Sequence, residues 1–415
     1  MKGEDERTGR APRTKGRRLL TGISTNVLVL GIVSLMTDAS SEMIYAVLPL
    51  FLLSIGATGL LIGIIEGAAE TTASLLKVVS GWYSDRYRRR KVFILGGYGM
   101  SSLVKPFLIL ASNPLQVLGI RITERIGKGV RSAPRDALIA DSTDASVRGK
   151  AYGFHKAMDS TGAVIGPIAV LVILALYVSL EESDRFKMIF AIATIPAFLA
   201  VLVIIAFVKE KEVQLRAPRK FFLKEIGNLD RRFLKLIAIA ATFYIGEISY
   251  AFFILRGNAA ELSDEMVVTL YVLFNIVFVV TSIPSGSLSD RLGRRPVIGA
   301  SFLIFAGSCA VMVVADTLAL LVVGFLLFGL YKGASEGVFK AYVVDVAPPD
   351  LRATALGAFH TVVGLVMLPC GLIAGLLWDA YGPEATFAYG ASMALASTVL
   401  LLAFGPRDRM LARPA

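Results

Sequence analysis

The sequence predicts an all-α integral membrane protein with twelve transmembrane helices in two pseudo-symmetric six-helix bundles. Three observations carry that prediction. The 415 residues are 55% hydrophobic, with a mean hydropathy of +0.68, more apolar than a soluble domain requires. Apolar windows long enough to cross a bilayer fall into two groups of six. The segment Gly81 to Val92, GWYSDRYRRRKV, returns about 205 positions later as Gly286 to Val297, GSLSDRLGRRPV. Each copy joins two long apolar runs, which marks two homologous halves.

The expected spans are 26–54, 59–83, 92–111, 114–140, 148–178 and 184–208, then 232–257, 265–288, 296–315, 317–345, 352–379 and 382–404. They divide the chain into a basic tail over 1–22, an N-terminal bundle over 23–208, a linker over 209–231, a C-terminal bundle over 232–405 and a tail over 406–415. In the linker, Phe221, Phe222, Leu223 and Ile226 beside Lys220 and Lys224 read equally as a short interfacial helix or as ordinary charged chain. Lys and Arg crowd both tails, the linker and the loops at 86–91 and 291–295, which all lie on one side of twelve spans. The opposite loops are short or acidic, with Glu181, Glu182 and Asp184 in one and Glu261, Asp264 and Glu265 in another. Positive loops stay in the cytoplasm, so both termini are expected there and the chain in the cytoplasmic (inner) membrane.

Several classes fall away. The formal charge of +11 sits beside apolar spans rather than among exposed aromatics, so anionic lipid explains it better than nucleic acid. Cys309 and Cys370 lie inside apolar windows and suggest no disulfide framework. His155 and His360 begin spans 5 and 11, and their spacing with the cysteines builds no metal site. No nucleotide-binding loop or nucleophile elbow stands in a credible context. Neither an enzyme nor an ATP-driven pump is expected, and no cofactor is implied. The first 22 residues lack a cleavage-site pattern and read as a tail.

The repeat continues beyond the loops. Lys128-Gly129 matches Lys332-Gly333, Asp141 matches Asp345 and Arg148 matches Arg352, at an offset of 204. With these residues the chain resembles the major facilitator superfamily, whose loop between helices 2 and 3 reads roughly G-x-x-x-D-R-x-G-R-R/K. The second copy keeps it at Gly286, Asp290, Arg291, Gly293, Arg294 and Arg295. The first keeps Gly81, Asp85, Arg86 and Arg89 but has Arg88 at the Gly position. In span 4, Arg125, Lys128 and Gly129 occupy the family's R-x-x-q-G positions, with Lys128 replacing Gln and Arg131 replacing Gly. In span 5, Gly153, Gly162, Gly166 and Pro167 follow the spacing associated with proton-coupled antiporters, although Ala169 and Val170 replace its terminal Gly pair. The resemblance implies that helices 1, 4, 7 and 10 line a central cavity and that the two loops act as conformational latches.

Span 4 carries the most unusual chemistry. Arg121, Glu124, Arg125, Lys128, Arg131, Arg135 and Asp136 fall within an arc of roughly 140°. Exposing that stripe to lipid would cost about 20 kcal/mol, so it must face water or counter-charges inside the bundle. Span 1 offers Asp38, Glu42 and Tyr45 on one face, and span 2 offers Glu66, Glu70 and Lys77. Desolvation and pairing act in opposite senses on a carboxylate's proton affinity, which suits proton uptake and release. Fixed ion pairs between helices are the competing reading for the span 2 charges. The C-terminal half offers Glu247 in span 7, and Lys332, Glu336 and Lys340 in span 10; Lys332 with Glu336 reads equally as a self-neutralising pair or a substrate contact. Phe252, Phe253, Phe274 and Phe278 read as packing or as an apolar substrate wall.

The expected function is secondary active transport by alternating access: proton-coupled antiport exporting a small organic molecule. The expected partners are that substrate, protons and the lipid bilayer, with the chain acting as a monomer. A carrier for an anionic metabolite or metal chelate, using the basic face of helix 4, is the alternative. A non-transporting sensor or assembly partner on the same fold is a third reading.

Overall fold

The computed structural model describes residues 23–87, 89–210, 230–348 and 351–406. The tails, Arg88 and most of the linker, including the segment around Phe221 to Ile226, lie outside the described residues. The described residues form thirteen α-helices. The first six are α1 (Thr25–Ser54), α2 (Gly59–Tyr87), α3 (Arg90–Val104), α4 (Pro114–Asp141), α5 (Arg148–Leu176) and α6 (Glu182–Phe207). The rest are α7 (Arg231–Tyr244), α8 (Tyr250–Ala259), α9 (Asp264–Leu292), α10 (Arg294–Val313), α11 (Leu318–Val346), α12 (Arg352–Tyr381) and α13 (Pro383–Phe404). Ten helical segments among the described residues are long and apolar enough to cross a membrane. The expected span at 114–140 is α4, whose charges keep it out of that set.

The expected span at 232–257 is not one helix. It breaks after Tyr244 and resumes at Tyr250, because Gly246 packs tightly on Met393 and Ser249 caps α8 by accepting from the Ala251 N–H at 3.3 Å. Unwound backbone inside a membrane protein is tolerated where it lines a cavity or is buried in protein. Here it carries Glu247. Span 3 also ends irregularly: Pro106 tightens the chain into a 3₁₀ turn over Lys105–Leu110.

Within the N-terminal half, Gly162 and Gly166 let α5 meet α1. A Cβ at either position would come within 2.5 Å of the Leu35 carbonyl oxygen or 2.6 Å of the Ala39 carbonyl oxygen. Gly153 has open space and makes no such contact. Pro167 is buried inside α5.

The halves join most tightly along α2 and α12. A Cβ on Gly63 or on Gly371 would overlap the other's carbonyl oxygen, and one on Gly375 would lie 2.5 Å from the Gly59 carbonyl oxygen. Asp379 of α12 caps α2, its Oδ1 and Oδ2 accepting from the Gly59 and Leu60 N–H groups at 2.7 and 2.9 Å. Arg185 and Glu265 add an ion pair between α6 and α9 at 3.1 Å. These contacts gather at the end of the molecule remote from the two signature loops.

Candidate functional site

A cavity of about 430 Å³ lies between the halves, running from Gly63 and Gly371 toward Lys340 and His360. Residues of α1, α2, α4, α7, α8, α9, α11, α12 and the unwound segment line it. Glu42, Tyr45, Glu66, Glu70, Arg125, Lys128, Glu247, Lys332 and Glu336 are on its wall; Asp38, Arg121 and Arg131 are behind it. Five carboxylates and four Lys or Arg side chains face the space. Phe252, Phe274 and Phe278 also line it, whereas Phe253 is stacked in the core on Phe328, with centroids 4.1 Å apart.

Helix α4 starts cleanly because Pro114 takes the first turn and the Asn113 side chain accepts from the Gln116 N–H at 3.1 Å. Its charged stripe turns inward, as the lipid cost requires. Arg121, fully buried, pairs with Glu66 at 2.9 Å and Glu124 at 2.5 Å, and its guanidinium lies 4.5 Å from the Tyr45 ring centroid. The Tyr45 hydroxyl donates to Glu124 at 2.9 Å. Arg125 pairs with Glu70 at 2.8 Å. Arg131 turns away, donating to Ser101 Oγ at 2.7 Å over the Tyr98 ring. Arg121 and Arg125 are thus met by acids of α2 and α4, while the acids of α1 find other partners.

Glu42 accepts from the Tyr271 hydroxyl of α9 at 2.7 Å, a bond that crosses between the halves. Asp38 and Asp159 of α5 stand side by side on Ser34, whose Oγ donates to their carboxylates at 3.4 and 3.0 Å. Lys156 pairs with Asp159 at 2.9 Å and stands 5.8 Å from the Phe278 ring centroid of the other half. The sequence reading did not single out Asp159; its signal is the i, i+3, i+7 face shared with Gly162 and Gly166. Two further buried cations also escaped it. Lys105 donates to Ser40 and Ser41 at 2.7 and 3.0 Å, and Arg256 donates to the Met312 carbonyl at 3.0 Å.

In the C-terminal half Lys332 pairs closely with Glu247, which also accepts from the Tyr331 hydroxyl at 2.6 Å. Glu336 pairs with Lys340 at 3.1 Å. The Lys332–Glu336 pair expected as one possibility is therefore replaced by two others, because the break before α8 swings Glu247 toward α11.

The signature loops fold as near copies. Asp290 pairs with Arg294 at 2.6 Å, and Arg294 reaches Asp345 at 3.1 Å and Ser289 Oγ at 2.5 Å. In the first loop Arg90 does all three jobs, with Asp85 at 2.5 Å, Asp141 at 3.5 Å and Ser84 Oγ at 2.7 Å. Arg89, the residue expected from the repeat, is exposed. The offset between the halves falls from 205 to 204 within the loop: α2 and α9 start 205 apart, whereas α3 and α10 start 204 apart. Gly293, at φ +95°, makes the turn into α10. Glu210 caps α3 by accepting from the Arg90 and Lys91 N–H groups, each at 2.9 Å. Arg86 lies over the Trp82 ring, Gly81 faces Ala133, Gly286 has open space and Arg291 is exposed.

Two pseudo-equivalent helical bundles around a central charged cavity, with matching loops, define a multi-pass membrane transporter rather than an enzyme. The Major Facilitator Superfamily profile matches residues 30–255 and 236–414, and the chain belongs to that superfamily. It is 39% identical over 390 residues to an uncharacterised MFS-type transporter of Methanocaldococcus jannaschii, covering 92% of this chain and 95% of the relative. A probable 4-methylmuconolactone transporter of Cupriavidus pinatubonensis is 28% identical over 350 residues, covering 77% and 76%. Among solved structures, a D-xylose–proton symporter superposes with a TM-score of 0.75 at 15% identity, covering 93% of this chain and 98% of that one. A nucleoside transporter does so with a TM-score of 0.75 at 14%, covering 91% and 98%.

Proposed function

We propose that the protein is a proton-coupled antiporter that exports a small organic molecule by alternating access, its proton carried by acids of α1 and α5. The observation that carries this reading is the Asp38–Asp159 contact. Two carboxylates that share one site favour holding a proton between them; these two meet on Ser34 and sit on the helices that the antiporter-like glycines hold together. Lys128 and Arg135 of α4, Lys156 of α5 and Glu42 of α1 surround them. Protonation would weaken their hold on those cations, and the Glu42–Tyr271 bond offers a route from the acids to the relative position of the halves. The near balance of charge on the cavity wall supports this reading over a carrier selecting highly charged anions. A relative named for a small organic compound supports the substrate class.

In this proposal both termini are cytoplasmic, so the contacts near Gly63 and Asp379 close the external side. Single cysteines placed in 209–232 are then expected to react only with impermeant reagent from the cytoplasm, and those at Ser263 or Glu182 only from outside. Reaction of both groups from one side would overturn the orientation. In the same scheme Asp85 and Asp290 pair within their own halves here and latch when the loop end closes. Asp85→Asn is expected to cut transport several-fold with normal expression, because Arg90 keeps Asp141 and Ser84; undiminished turnover would remove the latch. The antiport itself is tested in proteoliposomes carrying an imposed pH gradient, where an organic substrate should move against the proton flux and stop when the gradient is collapsed.

A further inference from the structure

We infer that the exported molecule carries a carboxylate, bound by Arg125 and Lys128, with its apolar body laid along the aromatic wall of the cavity. The inference rests on reading this cavity as the transport site and adds the chemistry of what enters it.

Four of the five cavity carboxylates are already matched: Glu66 by Arg121, Glu70 by Arg125, Glu247 by Lys332 and Glu336 by Lys340. Glu42 is engaged by the Tyr271 hydroxyl. Lys128 makes no ion pair within 4.0 Å among the described residues, and it lies about one helical turn from Arg125, a like charge. Of these two neighbouring cations only Arg125 has a carboxylate within ion-pair distance, that of Glu70.

Arg125 itself is unfinished. It is only 2% exposed, its Nη2 is taken by Glu70, and its Nε and Nη1 have no hydrogen-bond partner. The Tyr250 hydroxyl, also on the cavity wall, has none either. Buried donors are almost always satisfied, so idle guanidinium donors on a binding wall point to an acceptor on the ligand. A neutral carbonyl would occupy the donors but leave the Arg125–Lys128 repulsion. A carboxylate answers both, through charge-assisted hydrogen bonds. A dianion is disfavoured by the nearby Glu42, Glu66 and Glu70.

The rest of the ligand meets aromatic faces. The Tyr45 ring lies 5.0 Å beneath Arg125, and Tyr250, Tyr271 and Phe274 follow at centroid spacings of 6.1, 5.6 and 5.6 Å. All four line the cavity. A flat or branched apolar body attached to one carboxylate matches that path.

The test is thermal stabilisation of the purified full-length transporter by matched pairs of compounds, aryl and alkyl monocarboxylic acids each beside its amide. Acids are expected to raise Tm and their amides to do so at least about tenfold less potently, the value of a charge-assisted contact. Lys128→Gln, which breaks no ion pair, should lower acid potency about tenfold. Arg125→Gln combined with Glu70→Gln, which leaves no orphaned charge, should abolish the preference for acids. Amides matching acids, no stabilisation by any pair, or an unaltered acid preference in both variants would overturn the inference. Proton-coupled flux of amides would sink the inference and leave the antiport reading standing. Stabilisation by acids without proton-coupled flux would do the reverse.

Discussion

Valine at position 371 is expected to abolish transport while leaving insertion into the membrane intact. The backbones of α2 and α12 touch at Gly63 and Gly371, so each glycine occupies space that a side chain on the other helix would need. Gly59 and Gly375 repeat the arrangement one turn away, and Asp379 ties the end of α12 to the first N–H groups of α2. Any branched side chain at position 371 forces the halves apart at this end. Overpacking of this kind costs roughly 1–3 kcal/mol, and in the proposed alternating-access cycle the other conformation would open this contact, so the cost would fall on the closed conformation alone. The closed population should drop by about 5- to 150-fold, and a carrier that cannot close one end cannot complete a cycle. Counterflow in proteoliposomes, with the yield of monodisperse protein as control, checks it. Full counterflow in Gly371→Val would show that the α2–α12 contact opens no part of the cycle.

Arg121→Leu is expected to be the most damaging single change to stability. The guanidinium is fully buried and answers two carboxylates, Glu66 and Glu124, while covering the Tyr45 ring. Removing it strands two buried acids, a loss of about 3–5 kcal/mol for breaking a pair of this kind. Lys128→Gln on the same helix, with no ion pair within 4.0 Å to lose, should cost about 1 kcal/mol, the centre of the range for single substitutions. Detergent thermal melts of the two variants check the contrast. Similar melting of both would mean that the Arg121 network is not the pin holding α4 to α2.

The membrane class, the two halves and the helix order were legible because hydrophobic length and repetition are local signals. Where the sequence reading failed, the cause was tertiary. The span holding Glu247 looked continuous by hydropathy, and only the packing of Gly246 on Met393 opens it. Arg89 and Arg90 are indistinguishable in a run of arginines; the offset of 204 seen in later helices was the clue to the register, since Arg90 lies that far before Arg294. The inward turn of the α4 stripe follows from its lipid cost, but its partners do not. Spans 1 and 2 both offer acids to Arg125, and it is Glu70 of span 2 that meets it. Asp159 escaped because its importance comes from the α1–α5 contact, which places it against Asp38.

In the proposed mechanism, coupling of flux to the proton rests on the acids of α1. The most direct measurement is substrate flux driven by a pH gradient in proteoliposomes containing the parent, Asp38→Asn or Glu42→Gln, with substrate affinity determined in parallel. Each variant is expected to lose pH-driven accumulation while affinity changes less than about threefold and downhill exchange persists. If both variants keep gradient-driven transport and instead lose affinity, Asp38 and Glu42 belong to the substrate site and the proton is carried elsewhere.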